Sequence, residues 1–233
     1  MNKLSWVVFK RELVEMKSNK GILFSTIGFI FIWGTMPISA AKNMGNIDSF
    51  TNSFLAYLSS SLSVFVAYMF SNIAFINEKR SGTIETTLCT PLTLRELLAG
   101  KILGVLMPSY ISAFVVSGLL IGFVSYFAGY LILPGIFTML YIVFVLPVIL
   151  TAFIGLYGFF QFLLGMKQVQ ILGIIIMVVL FGFIGISHKA LQGGNVITWK
   201  FFSLIVLISL GLLSGSMYLV KYISKEKIVT SIE

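Results

Sequence analysis

The chain has 233 residues, of which 58% are hydrophobic and only 10% are charged, and its formal net charge is +8. Because soluble domains are about 25% charged, this composition excludes an ordinary soluble protein. The length is better counted in membrane spans of about 20 residues each. The single cysteine, Cys89, excludes an internal disulfide, and no metal-ligand spacing occurs. The basic residues lie between apolar runs, so we expect a lipid membrane as partner and no nucleic acid.

Residues 1–20 predict a helix that lies in the membrane interface. Four of its apolar residues fall on one helical stripe: Trp6, Phe9, Leu13 and Met16. Lys10 and Lys17 lie on one side of this stripe, and Glu12 lies on the other. This pattern suits a helix whose tryptophan lies at headgroup depth. The alternative is a juxtamembrane segment in the cytoplasm.

Six apolar runs follow, each close to the length that crosses a bilayer, at about 21–41, 54–76, 102–127, 136–164, 171–187 and 201–220. They predict an all-α integral membrane protein with one transmembrane domain over residues 1–233. A polar loop is expected at 42–52, and Pro147 predicts a kink in the fourth span. Two glycine pairs predict close helix crossings: Gly118 with Gly122, and Gly211 with Gly215.

The basic residues predict the orientation. Of the 16 lysines and arginines, only Lys42, Lys189 and Lys200 fall on one side of the predicted spans. The others share the opposite side, which the positive-inside rule identifies as the cytoplasm. Both termini and the segment between the second and third spans are therefore predicted to be cytoplasmic, in a multi-pass protein of the inner (cytoplasmic) membrane.

Residues 77–101, here called the polar segment, hold four basic and three acidic residues between two apolar runs. Such residues are expected to lie in water or against a protein. Ser81-Gly82 predicts a break, and the residue before Pro91 predicts the end of a short helix. The spacing of Thr93 and Glu96 predicts a capping box at the start of a new helix, with Lys101 at the return to the bilayer. The composition fits either a stiff helical knob for a soluble partner or an ordinary hydrated loop.

The polar segment resembles the E-x-R-x-G-T-x-E-x-x-L-x-x-P…K pattern of six-helix ABC-transporter permeases of the type-2 exporter family. The matching residues are Glu78, Arg80, Gly82, Thr83, Glu85, Leu88, Pro91 and Lys101. The layout is similar along nearly the whole chain: an interfacial helix, two spans, this segment and four further spans. Two features depart from the pattern, since Cys89 stands where an apolar residue is more common and the outer loops are short.

The resemblance implies the permease subunit of an exporter, in which a coupling helix after the second span docks on an ATPase. It implies this role for Glu78, Arg80, Gly82, Thr83 and Glu85, with Pro91 and Lys101 framing them. The implied partners are two ABC ATPase subunits, which bind ATP and magnesium, and a second copy of the permease or a homologous one. No cofactor is implied on this chain.

The chain is not expected to be an enzyme. Gly100-Lys101 has the ending of a phosphate loop, but Arg95 stands at its first glycine and Ile102 at its Ser/Thr. The predicted spans contain no charged residue, which disfavours an ion carrier with a charged relay and favours a hydrophobic or amphipathic substrate, such as a drug, peptide or lipid-like molecule. Their polar residues are Gln161, Asn72 and hydroxyls, of which the weak candidates for substrate contact are Ser60, Ser63 and Tyr68.

Two alternatives stay open from the sequence. The first is a carrier or channel that works without ATP. The second is an intramembrane enzyme or its chaperone, although no catalytic dyad is present in the sequence.

Overall fold

The computed structural model describes residues 3–35, 47–83, 93–165 and 167–179, with isolated positions between 207 and 218. The elements in this part of the chain are helices: α1 Lys3–Ser18, α2 Lys20–Thr35, α3 Ile47–Ser71, α4 Asn77–Arg80, α5 Leu94–Ala128, α6 Ile136–Leu140, α7 Leu146–Leu163 and α8 Lys167–Val179. A first π-turn, Asn72–Ile76, joins α3 to α4. A second π-turn, Tyr141–Val145, joins α6 to α7. The described chain therefore consists of nearly continuous helical rods.

Three stretches in the described residues are long and apolar enough to cross a membrane: Phe54–Arg80, Leu94–Tyr126 and Ile136–Leu163. They correspond to the second, third and fourth predicted spans and confirm a helical, membrane-protein character. α2 and α8 cover parts of the first and fifth predicted spans, whose far ends lie outside the described residues. Most of the sixth predicted span also lies outside them.

Residues 47–52 of the predicted loop are helical, because α3 begins at Ile47; the rest of that loop lies outside the described residues. Asn52 is part of this helix and makes a contact across the protein. Its Oδ1 accepts a hydrogen bond from the Gly135 amide at 2.7 Å, where α6 begins. Asn52 thus connects α3 to the start of α6 through the amide of the N-cap residue Gly135.

The second π-turn lies close to Pro147, where a kink is predicted, and it ends at Val145, two residues before the proline. Proline has no amide hydrogen to donate within the helix. The Tyr110 hydroxyl of α5 donates to the Val143 carbonyl at 3.2 Å, and this bond connects α5 to the second π-turn.

α5 lies at the centre of the described helices and packs against α3, α1 and α7. Its contact with α1 is very close at two glycines. A Cβ atom on Gly100 would lie 2.7 Å from Val8 Cβ and 2.9 Å from the Ser5 carbonyl oxygen. A Cβ atom on Gly104 would lie 2.7 Å from Glu12 Cβ. Small residues one turn apart allow this approach.

The two glycine pairs predicted to allow close helix crossings make no such contact within the described residues. A Cβ atom on Gly118 or Gly122, or on Gly211 or Gly215, would meet nothing within 4 Å among the described residues. The stripe of α1 that faces α5 also differs from the predicted one. It contains Ser5, Val8, Phe9, Glu12 and Met16, while Trp6 is 45% exposed. Glu12, expected on the polar side, is therefore part of the packed side.

We predict that Gly100→Ala destabilises the protein by about 1–3 kcal/mol, because the added methyl group overpacks the contact with α1. The Ser5 carbonyl belongs to the backbone, so α1 as a whole has to move. The measurement is the free energy of unfolding in detergent micelles.

The matched control is Gly118→Ala in the same helix, where the new methyl group has open space. This change should be neutral or slightly stabilising, since alanine favours a helix interior more than glycine does. Equal unfolding free energies for the two variants would contradict the close contact of α1 with α5.

Candidate functional site

The two ends of the polar segment meet inside the protein. Glu78 of α4 lies near the start of the segment, and Lys101 of α5 is its last residue. Lys101 Nζ is 2.9 Å from Glu78 Oε2, and the two side chains are 0% and 5% exposed. The segment is therefore closed at its base by a buried ion pair.

α1 completes this arrangement with Arg11 and Glu12. Lys101 Nζ donates a hydrogen bond to Glu12 Oε1 at 2.7 Å, and Glu12 is 1% exposed. Arg11 Nη2 donates to Glu78 Oε1 at 2.8 Å. We call Arg11, Glu12, Glu78 and Lys101 the ion cluster. It joins an N-terminal helix to both ends of the polar segment through two cations and two carboxylates.

The backbone of the first π-turn also contributes to the ion cluster. Lys101 Nζ donates to the Ala74 carbonyl, and it lies 5.4 Å from the centre of the Phe75 ring. A π-turn departs from the regular hydrogen bonding of an α-helix, and such turns often occur at functional sites. Lys101 therefore contacts this turn as well as the two carboxylates of the ion cluster. Its contact with Glu78 lacks hydrogen-bond geometry and is mainly Coulombic.

Burial and ion pairing have opposing effects on the pKa of Glu12. Desolvation raises the pKa of Glu12, and this effect exceeds the lowering caused by the Lys101 ammonium. The folded state therefore favours the protonated carboxyl group more than the unfolded state does. Removal of one partner from a buried ion pair leaves the other charge without compensation, which is strongly destabilising.

Lys79, next to Glu78, holds the end of α7. Its ammonium group donates to three backbone carbonyls there: Gln161 at 3.2 Å, Phe162 at 3.2 Å and Leu164 at 2.7 Å. The last carbonyls of a helix lack partners within the helix, and a lysine can satisfy them. α4 thus contacts α1 and α5 through Glu78 and α7 through Lys79.

The residues predicted for coupling fall into two groups. Glu78 and Lys101 are buried, whereas Arg80, Gly82 and Thr83 are exposed. Gly82 has a φ of +69°, a left-handed conformation that suits glycine, and it marks the predicted break. Glu85, Leu88 and Pro91 lie outside the described residues.

The predicted start of the new helix is confirmed. Thr93 is the N-cap of α5, and its side chain accepts a hydrogen bond from the Glu96 amide. The Glu96 side chain accepts in turn from the Thr93 amide at 3.1 Å, which completes the capping box. α5 then continues from Leu94 to Ala128 without interruption, so that Lys101 lies inside a long helix.

The three hydroxyl residues predicted as weak candidates for substrate contact lie in two different environments. The Ser60 and Ser63 hydroxyls donate to backbone carbonyls of their own helix, and Ser60 lies 3.0 Å from the Tyr141 hydroxyl. Tyr68 instead borders a cavity beside α7 and α8. Near it, Asn72 accepts hydrogen bonds from the Tyr157 hydroxyl at 2.6 Å and from Gln161 Nε2 at 2.9 Å.

Sequence reasoning missed Arg11 and Glu12 as partners of the polar segment, and it missed the close approach at Gly100 and Gly104. The separation of 89 residues between Glu12 and Lys101 gives no local signal. The pair of glycines flanking Lys101 one turn apart is the one signal that could have indicated a packed helix face there.

Comparisons with protein-family models, with curated proteins and with solved structures find no match for the chain.

We predict that Lys101→Met lowers the free energy of unfolding by about 3–5 kcal/mol, because Glu12 and Glu78 lose the cation between them. Arg95→Met is the control in the same helix, since Arg95 is exposed, and its effect should stay within about 0.5 kcal/mol. Both values come from unfolding in detergent micelles. Similar losses for the two variants would contradict the assigned role of Lys101.

We predict a pH dependence for Glu12→Gln. The folded-state pKa of Glu12 is raised above its ordinary value of 4.5, so its stabilising contribution is full below that pH and is lost as the pH rises through the folded-state value. Glutamine does not titrate. The variant should therefore gain stability relative to the parent as the pH rises from about 4.5, by at most about 1.4 kcal/mol per pH unit. If the stability of the variant relative to the parent stays constant or falls as the pH rises over this range, the raised pKa of Glu12 is contradicted.

Proposed function

We propose that this chain is the permease subunit of an ATP-binding cassette exporter. In this proposal it has six spans, an interfacial α1 and cytoplasmic termini, and it lies in the inner (cytoplasmic) membrane. Two separate ATPase subunits bind ATP and magnesium and dock at the polar segment. A second copy of the chain, or a homologous permease, completes the pathway. The substrate is hydrophobic or amphipathic.

The observation that carries the proposal is the closed base of the polar segment. The ion pair of Glu78 with Lys101 joins the two ends at 2.9 Å, and Glu12 and Arg11 tie both ends to α1. A flexible loop between two spans would absorb a force applied at its tip. A segment with a fixed base passes that force to the helices that carry it.

The connected helices suit this mechanical role. Glu78 and Lys79 belong to one continuous helical stretch with α3, Lys101 belongs to α5, and Lys79 holds the end of α7. A displacement of α4 therefore acts on all three long apolar helices and on α1. Rigid-body movement of packed helices around an interface is a common route for conformational switching.

The exposed group of predicted coupling residues suits contact with the ATPase. Arg80, Gly82 and Thr83 are exposed at the end of α4, while the buried Glu78 and Lys101 hold the base. In this proposal Arg80, Thr83 and Glu85 contact the ATPase, Gly82 provides the turn, and Pro91 and Thr93 define the return into α5. Glu78 and Lys101 act by positioning the segment.

The test is co-purification of the tagged chain with its ATPase from the native host, followed by measurement of ATP hydrolysis. Arg80→Glu and Glu85→Arg each reverse a charge on the proposed docking surface. We expect at least a roughly tenfold weaker association with the ATPase, or about 1.4 kcal/mol, with normal membrane insertion. Lys17→Glu is the matched control, because Lys17 is exposed on α1 and should leave the association unchanged.

Association that survives both substitutions unchanged would overturn the docking surface. A parent chain that binds no ATPase would overturn the exporter itself. Substrate movement by the purified chain in vesicles without ATP or ATPase would favour the ATP-independent carrier or channel.

A further inference from the structure

A cavity of about 750 Å³ lies among the first π-turn, α7 and α8. This volume is within the range of ordinary small-molecule sites, about 300–1,000 Å³. Its wall includes Tyr68 and Asn72 on one side, Tyr157 on another, and Gly173, Ile174 and Met177 of α8 opposite. The cavity is separate from the ion cluster, and the exporter proposal assigns it no role beyond the weak candidate Tyr68.

The hydrogen bonds at this wall leave a specific group available. The oxygen of the Asn72 side chain already accepts from the Tyr157 hydroxyl at 2.6 Å and from Gln161 Nε2 at 2.9 Å. The Tyr68 hydroxyl donates to the Gly173 carbonyl at 3.2 Å. The NH₂ group of Asn72 has no acceptor among the described residues. The exposed amide of Gln170, which also lines the cavity, adds a donor and an acceptor. The open donor of Asn72 suits a ligand with a carbonyl or another neutral acceptor.

A second unsatisfied group lies beside Asn72. Gln161 is 2% exposed, and its Oε1 atom has no hydrogen-bond donor among the described residues. Buried polar groups without partners are uncommon in native proteins. Gln161 fixes the orientation of the lining residue Asn72 from outside the cavity wall, by donating from Nε2 to Asn72 Oδ1 at 2.9 Å.

The remaining wall excludes charge. Five apolar side chains border the cavity, and none of its lining residues is ionised at neutral pH: the apolar ones are Ile76, Val169, Ile174, Met177 and Val178. A charged ligand would have no counter-ion in this wall, and an unpaired charge in such surroundings is costly. The tyrosine rings of Tyr68 and Tyr157, with centroids 5.4 Å apart, add aromatic surface.

Gly173 keeps the tyrosine in this wall. A Cβ atom at this position would lie 2.9 Å from the Tyr68 hydroxyl oxygen. A side chain at this position would displace the Tyr68 hydroxyl from its place beside the Gly173 carbonyl. The polar end of the cavity thus depends on a residue that contributes no side chain.

We infer that this cavity binds an uncharged amphipathic molecule, with a carbonyl acceptor against the Asn72 NH₂ group and an apolar body along α8. The inference rests on the proposed function in that it names the substrate class of the exporter. The binding itself requires neither ATP nor the ATPase. The same chemistry describes a neutral membrane lipid and a smaller dissolved amphiphile.

The experiment uses the full chain in phosphatidylcholine nanodiscs with the photoreactive probe 4-benzoyl-N-octylbenzamide, which is neutral and has two carbonyl groups. Irradiated benzophenones insert into nearby C–H bonds and favour methionine, so Met177 is the expected position of labelling. We expect saturable labelling of residues 169–178, found by peptide mass spectrometry. The analogue with a trimethylammonium group on its octyl chain should not label this segment.

Two variants separate binding from folding. Asn72→Leu has nearly the same shape and removes the open donor, and it should lower the labelling at least about fivefold, the equivalent of one hydrogen bond, in protein whose folding is verified by its melting temperature. Ile174→Trp fills the cavity from a side chain that is 65% exposed and should abolish the labelling without disturbing the polar end. Ser112→Ala, whose hydroxyl donates to the Ser109 carbonyl within α5, is the control and should label like the parent.

Competitors identify the source of the ligand. Protection by dioleoylglycerol alone indicates a membrane lipid, protection by N-octylbenzamide alone indicates a smaller amphiphile, and either result supports the inference. Labelling that does not saturate, or that is equal in Ile174→Trp, reports partition into the bilayer and overturns it. Equal labelling by the cationic analogue overturns the assigned class. The ATPase association is unaffected by any of these outcomes, so failure here leaves the exporter proposal standing.

Discussion

The ammonium group of Lys101 lies in the interior between the carboxylates of Glu12 and Glu78, and the arrangement of α1, α4 and α5 depends on it. A lysine this deeply buried requires close partners. Gly100 and Gly104 flank it one turn apart and let α1 approach until Glu12 reaches the ammonium at 2.7 Å. The steric and electrostatic requirements are therefore coupled. Bulk at either glycine would separate the ion pair, and loss of the pair would remove the reason for the close approach.

This arrangement divides the polar segment into a base and a tip with different physical roles. Buried ion pairs contribute modestly to net stability, but a broken one is heavily penalised, so the ion cluster favours one relative position of its three helices over small displacements from it. The described residues of the tip, Arg80, Gly82 and Thr83, are exposed instead. A partner that binds the tip would act on a defined base, which is the requirement for passing movement into the apolar helices.

Local sequence patterns predicted some features of the structure and gave no indication of others. The Thr93–Glu96 spacing predicted the start of α5, since a capping box involves four consecutive residues. Hydrophobic length located the three long apolar helices. Glu12 was predicted on a polar face of α1, because the sequence of α1 alone carries no information about Lys101, which is 89 residues away. Asn52 looked like a loop residue for the same reason, as its partner at Gly135 is distant in sequence. Glycine pairs were visible, but only the opposing helix decides which pair is packed.

The first π-turn connects the two polar regions of the structure. Asn72 begins this turn and borders the cavity, while the Ala74 carbonyl within it accepts a hydrogen bond from Lys101. The wall of the cavity and the ion cluster are thus separated by two residues of one irregular turn. Where a displacement of Lys101 also moves the backbone of Asn72, a ligand at Asn72 and a partner at the polar segment change each other's affinity by the same factor. The π-turn is therefore the shortest physical route by which occupancy in the membrane and force at the polar segment could influence each other.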